Sequence, residues 1–172
     1  MGKLKIFLVI VGLIAGGYYF VDETVNLDET KRDREGNIVQ SGDVGALKIK
    51  VGDCYNDVPI IAEGEAGKVE KVTGVPCSGS HRWEAYAEKT SSLEIFDEAV
   101  LIQEARDFCQ GDSASDFIQN LSIDRQNQIA SIYEKANVIA LWPVNEYTFE
   151  QYKVINCLIG SDTEYYTGSI RE

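Results

Sequence analysis

Four cysteines, Cys54, Cys77, Cys109 and Cys157, follow a single apolar run, Ile6 to Val21. The run decides the compartment, and the compartment decides what the cysteines are for. Lys3 and Lys5 precede it, and Asp22 and Glu23 end it. A positive flank holds the N-terminus in the cytoplasm and sends the following chain outward. At 16 residues the run is short against the ~20 that cross a bilayer. It reads either as a cleaved signal peptide, with Ala15, Gly16 and Gly17 offering small residues for cleavage, or as an uncleaved anchor. Tyr18, Tyr19 and Phe20 favour the anchor, because aromatic rings settle at the interface. Both readings put the rest of the chain in an oxidising space, where an even number of cysteines pairs into disulfides. No cysteine precedes Cys54 to accept a lipid.

The sequence divides accordingly into a membrane segment at 1–21, a polar juxtamembrane linker at 22–45 and one extracytoplasmic domain at 46–172. A flexible linker of this length reaches roughly 25–30 Å. The net charge is −12, so a nucleic-acid partner is excluded for want of a basic face. The acidic stretch Asp22–Glu35 lacks the spaced oxygen ligands of a calcium loop.

Within the domain, LKIKVGDC alternates Leu47, Ile49 and Val51 with lysines, the period of a half-buried strand. KVEKVTGVPC predicts a second strand and RWEAYAEK a third, with Trp83, Ala85 and Ala87 on one face and Glu84, Tyr86 and Glu88 on the other. From Leu93 to Cys109 the apolar residues fall at helical spacing. Ser91 or Ser92 is positioned to cap that helix and Gly111 to end it. SASDFIQNL and NQIASIYEK suggest short helical pieces. VIALWP, YKVINCLIG and YYTGSI then predict strands. The expected fold is α+β, a mainly antiparallel sheet with one principal amphipathic helix, at about 93–109, packed on it.

The motifs in order are GDVGALKIKVGDCYND, VPCSGSHRWEAYA, the helix ending in Cys109, LWPVNE, NCLIG and TGSI. In that order, behind one apolar segment, the chain resembles the septum formation domain family of actinobacterial envelope proteins. The resemblance covers about Asp33 to Ile170. It is carried by Gly52, Asp53 and Cys54; Pro76, Cys77, His81 and Glu84; Cys109; Pro143; Cys157 and Leu158; and Thr167, Gly168 and Ser169. The Trp and Gly-Asp-Arg common in the family before the last cysteine are replaced by YTFEQYKVINC, where Phe149 and Lys153 stand for the aromatic and the cation. Ser78-Gly79-Ser80 lacks the family's acidic residue and proline. The resemblance implies a role at the division septum or envelope and no catalytic activity.

The four cysteines are too far apart for paired zinc knuckles, and Cys77-x-x-x-His81 stands alone, so no metal or other cofactor is expected. The favoured pairing is Cys54–Cys77, joining two strand ends, and Cys109–Cys157, joining helix to strand; the other two connectivities stay open. Loops of these lengths correspond to about 3.5 and 4 kcal/mol of chain entropy. Paired cysteines offer no thiolate nucleophile, and Cys-x-x-Cys and Gly-x-Ser-x-Gly are absent. His81 is expected at a loop-to-strand corner, bonded to backbone or to Glu84 or Asp53. His81, Trp83 and Glu84 are the candidate recognition residues. The expected function is a non-catalytic binding module tethered at the cell membrane, with an envelope or division protein as partner. A zinc- or thiol-dependent envelope enzyme and a small-ligand sensor are the alternatives.

Overall fold

A computed structural model describes residues 30–58, 71–127 and 137–171. The apolar N-terminal run, residues 59–70 and most of NQIASIYEK lie outside the described residues. Among the described residues no helix is long and apolar enough to cross a membrane.

The strands are β1 (Lys31–Arg32), β2 (Ile38–Gln40), β3 (Gly42–Gly45), β4 (Cys54–Asn56), β5 (Lys71–Val75), β6 (Ser80–His81), β7 (Trp83–Thr90), β8 (Asn137–Leu141), β9 (Val154–Gly160) and β10 (Tyr166–Thr167). The helices bounded within the described residues are α1 (Glu98–Gln110), α2 (Asp112–Gln119) and α3 (Glu146–Gln151), and residues 123–127 are helical as well. Six strands form one sheet in the order β3-β5-β4-β7-β9-β8, with every pair antiparallel. β1 pairs with β2, and β6 with β10, as separate short ribbons. The α+β fold expected from the sequence is present, with both disulfides at Cys54–Cys77 and Cys109–Cys157.

Apolar residues cover both faces of the sheet. Leu101, Ala105, Phe149, Ile155 and Ile159 pack on the α1 side. Ile38, Val44, Ile49, Tyr55, Trp83 and Leu158 pack on the other. β9 lies between these layers, so its sequence reads as a near-continuous apolar run. β7 does not keep the strict alternation expected of it. A bulge between Ala85 and Ala87 shifts its register against β9, so Trp83 and Ala85 face one layer while Tyr86 and Ala87 both face the other. An extra residue in one strand breaks the period of two at that point.

The principal helix starts later than its apolar spacing suggested. Asp97, not Ser91 or Ser92, is its cap, accepting from the Val100 amide at 3.1 Å. The two serines instead bind Glu104 on the second turn, from Ser91 Oγ at 2.6 Å and the Ser92 amide at 2.9 Å. Lys89 Nζ adds an ion pair to the same carboxylate at 2.9 Å. Leu101, Ala105 and Cys109, four residues apart, form the buried stripe. The Cys109–Cys157 bond joins the last turn of that stripe to the middle of β9.

The folded part also begins earlier than the expected boundary at residue 46. Residues 31–45 form β1, β2 and β3, and Ile38 and Val44 are buried. Their charged composition hides this because the charges face out or are paired. Arg32 forks onto Asp53 with two bonds of 2.6 Å. The LKIKV stretch, expected as a strand, is instead a connection between β3 and β4 in which Ile49 alone is fully buried. The turn closes through Asp53 Oδ2, which accepts from the Lys50 amide at 3.0 Å, and through Gly52 at φ 92°.

Two outcomes are expected. A Cβ on Gly160 would lie 2.0 Å from the Arg82 carbonyl oxygen and 2.8 Å from Trp83 Cα, both backbone atoms of the facing segment. Gly160→Ala is expected to destabilise by roughly 3 kcal/mol or more, read as a fall in urea midpoint. Burial pushes the Glu104 carboxyl up, but the bonds from Ser91, Lys89 and Ser92 outweigh it and hold it at about 2. A carboxyl lowered on folding stabilises above its unfolded value and loses that contribution as the pH falls through the folded one. Unfolding curves from pH 5 down to pH 2 are expected to show wild type losing on the order of 2 kcal/mol of its advantage over Glu104→Gln, after allowing for the exposure of Lys89.

Candidate functional site

Three distant stretches of sequence meet at one corner of the sheet. Strand register places Cys54 directly opposite Glu84 in the β4–β7 pair and His81 opposite Tyr166 in the β6–β10 ribbon. Cys54 is also opposite Val75, which brings Cys77, two residues on, within reach of its sulfur. The Cα atoms of this cystine are 5.2 Å apart. The pairing expected from strand ends is therefore a direct product of the β5-β4-β7 order.

Glu84 is fully buried, an expensive place for a carboxylate without donors. Two donors come from the chain's far end: Ser169 Oγ at 2.7 Å and the Ile170 amide at 2.6 Å. Gly168, at φ 85°, makes the turn after β10 that delivers them, and its own amide donates to the Cys77 carbonyl at 2.8 Å. The Thr167-Gly168-Ser169 ending is thus an arm folded onto Glu84. Burial still raises the Glu84 carboxyl above its ordinary range, against the pull of those bonds.

His81 is also fully buried. Its Nδ1 lies 2.9 Å from the Gly79 carbonyl, which can only accept, so Nδ1 carries the proton. Burial lowers the affinity of the ring for a second proton, despite the Gly79 bond. In that neutral ring Nε2 presents a lone pair, and it has no hydrogen-bond partner among the described residues. The Tyr166 ring meets His81 edge-on at 4.1 Å, and its buried hydroxyl is likewise unpartnered. Burial and the nearby Glu84 charge both raise the Tyr166 hydroxyl. One ligand-type atom from each of Cys54, His81 and Glu84 lies within 4.8 Å of the others.

The structure thus assembles the residues singled out in sequence but turns them inward. His81, Trp83 and Glu84 expose at most 1% of their surface, so none of them can touch a partner, and direct recognition by these side chains is not what the corner does. Of the bonding partners expected for His81, the backbone is the one used. Asp53 is taken by Arg32, by the Lys50 amide and by the Tyr55 hydroxyl at 2.6 Å. Residues on the surface of the same corner are Arg82 and Tyr165, with the guanidinium 4.4 Å above the ring. Phe149 and Lys153 also come together as an aromatic and a cation, with Nζ 4.9 Å from the ring centre. Sequence reading placed Tyr166 in the expected YYTGSI strand but did not single it out as a site residue, because nothing local in the sequence shows that it meets His81. It missed α3, although Asn145 is a regular cap, accepting from the Thr148 amide at 2.9 Å.

Removing the hydroxyl donor tests the arm. Ser169→Ala leaves the buried Glu84 with one fewer donor and is expected to cost about 1–3 kcal/mol in urea unfolding. Replacing Cys54 and Cys77 together by alanine is expected to cost about 3.5 kcal/mol, with the Cys109–Cys157 bond intact by mass.

No family model, curated protein or solved structure matches this chain.

Proposed function

We propose that this chain is a non-catalytic binding module of the cell envelope, held outside the membrane by its N-terminal segment and serving an envelope or division protein. The observation that carries the reading is that all four cysteines are paired, three of them at fully buried sulfurs. Disulfides of this kind persist in oxidising compartments. The topology of the apolar run and the motif order shared with the septum formation domain family point to the same location. With His81 and Glu84 enclosed, the surface left for a partner is made of isolated large side chains. Ile95, Ile123 and Tyr147 are the most exposed of these among the described residues, at 78%, 75% and 70%, and Tyr165 is 53% exposed. Tyrosines with an arginine alongside, as at Tyr165 and Arg82, are common anchors of protein interfaces.

The zinc- or thiol-dependent enzyme is the second reading, and the meeting of Cys54, His81 and Glu84 is what speaks for it. Against it, the Cys54 sulfur is bonded to Cys77 and the group has no opening to a substrate. A photoreactive residue placed in turn at Ile95, Ile123, Tyr147 and Tyr165 of the full membrane-inserted chain tests the binding reading. The expected result is a reproducible crosslink to one envelope protein from at least one position, together with protease access from outside the cell. A chain with four free thiols and a cytoplasmic domain would sink it.

A further inference from the structure

We propose that reduction of the Cys54–Cys77 bond converts this corner into a metal site for a zinc-like cation. Three observations converge. Cys54, His81 and Glu84 already bring one sulfur, one nitrogen and one oxygen within 4.8 Å of one another. Tetrahedral zinc, with bonds of about 2.0 Å to nitrogen and 2.3 Å to sulfur, needs such atoms roughly 3.3–3.8 Å apart. A small inward movement of a freed sulfur covers the difference.

The ligands are also pre-oriented. His81 gives its Nδ1 proton to the Gly79 carbonyl and leaves the Nε2 lone pair buried without a partner. That arrangement is the one by which a backbone carbonyl fixes a metal-binding imidazole. The Glu84 carboxylate is held by the Ser169 hydroxyl and the Ile170 amide, as ligating carboxylates are. In the cystine, Cys54 has no thiolate to give. The present structure is therefore the closed form of the site, with two ligands in place and two sulfurs tied to each other.

The two disulfides differ in access. Cys109 and Cys157 are both fully buried, as is Cys54, but Cys77 is partly exposed. A thiolate of an external dithiol attacks the Cys77 sulfur, forms a mixed disulfide there and expels Cys54 as thiolate. The second thiol of the reductant then displaces Cys77. The dithiol leaves as a disulfide, and two electrons and two protons have passed to the cysteines. A zinc ion takes both sulfurs, His81 Nε2 and a Glu84 oxygen, releasing the two thiol protons. The strand register holds Cys54 opposite Glu84, and Cys77, two residues beyond β5, moves in to supply the fourth ligand. The role lies apart from partner binding, and the site works as a redox-gated metal trap.

The test uses the full chain in detergent. Limited dithiol treatment, with alkylation mapping, is expected to free Cys54 and Cys77 while Cys109–Cys157 stays closed. The reduced chain is then expected to retain one zinc through desalting and the oxidised chain none. Cobalt in its place is expected to show thiolate-to-metal charge transfer with a tetrahedral spectrum. His81→Ala is expected to weaken zinc binding roughly 100-fold or more, and Ser169→Ala, which removes a hydrogen bond to the ligating Glu84 carboxylate but no ligand, roughly 10–100-fold. Should His81→Ala fail to fold, Ser169→Ala and the cobalt spectrum decide. The proposal falls if the reduced chain keeps no zinc, whether it stays folded or unfolds. It also falls if Ser169→Ala binds as wild type does with a cobalt spectrum lacking thiolate bands, or if the Cys109–Cys157 bond opens first.

Discussion

β9 has no solvent face, and the rest of the domain is arranged around that constraint. Every residue from Ile155 to Ser161 is buried. A strand enclosed on both sides must be covered by two layers, so a sheet with a helix on one face only would leave half of it wet. α1 supplies one cover, fixed covalently through Cys157. The other is assembled from segments that come early in the chain, β2, β3 and the Ala46–Ile49 connection, together with Trp83 from β7. This explains why the folded domain reaches back into a stretch whose composition is that of a linker. Ile38, Val44 and Ile49 belong to the same buried cluster as Leu158 on that face.

The same logic of enclosure shapes the corner at Cys54. Its polar groups are buried because three segments close over them, and each is answered from a different part of the chain. Arg32 answers Asp53, and Ser169 and Ile170 answer Glu84. A buried carboxylate that loses a donor is costly, so these contacts select the route of both ends of the domain. Among the described residues nothing comparable answers His81 Nε2 or the Tyr166 hydroxyl. An unpaired lone pair beside a cystine and a carboxylate is unusual in a purely structural corner, and it is the reason for reading metal chemistry there.

Much of the architecture was legible in the residues. The strands around Val72, Trp83, Ile139 and Cys157 are marked in sequence by alternation or by bounded apolar runs, and the helix through Leu101, Ala105 and Cys109 by its steps of four. The strand-end reasoning also led to the right disulfides. What escaped was whatever depends on contacts made far along the chain. LKIKV alternates as a strand would, yet Asp53 draws the Lys50 amide into a turn instead. The serines before α1 have good capping chemistry, but Glu104 captures them first. At the site, the motif residues were found, whereas their direction was not. A lone histidine next to a cysteine has the same appearance in sequence whether it faces water or the core, and only the β6–β10 pairing turns it inward.

The Arg32–Asp53 fork has a mechanical consequence. Tension reaching β1 from the N-terminal side can strip the β1–β2 ribbon only after that fork is broken. Once past β3 it reaches Cys54, where the covalent bond carries it straight to Cys77, 23 residues further on. The strands β4 and β5 between them are left unloaded. Force is then passed to β7, whose antiparallel partner β9 holds it along seven registered positions, from Trp83 against Gly160 to Thr90 against Val154. A domain loaded in this way yields at its edge while its centre stays folded, and opening the cystine would redirect the same pull through β4 and β5.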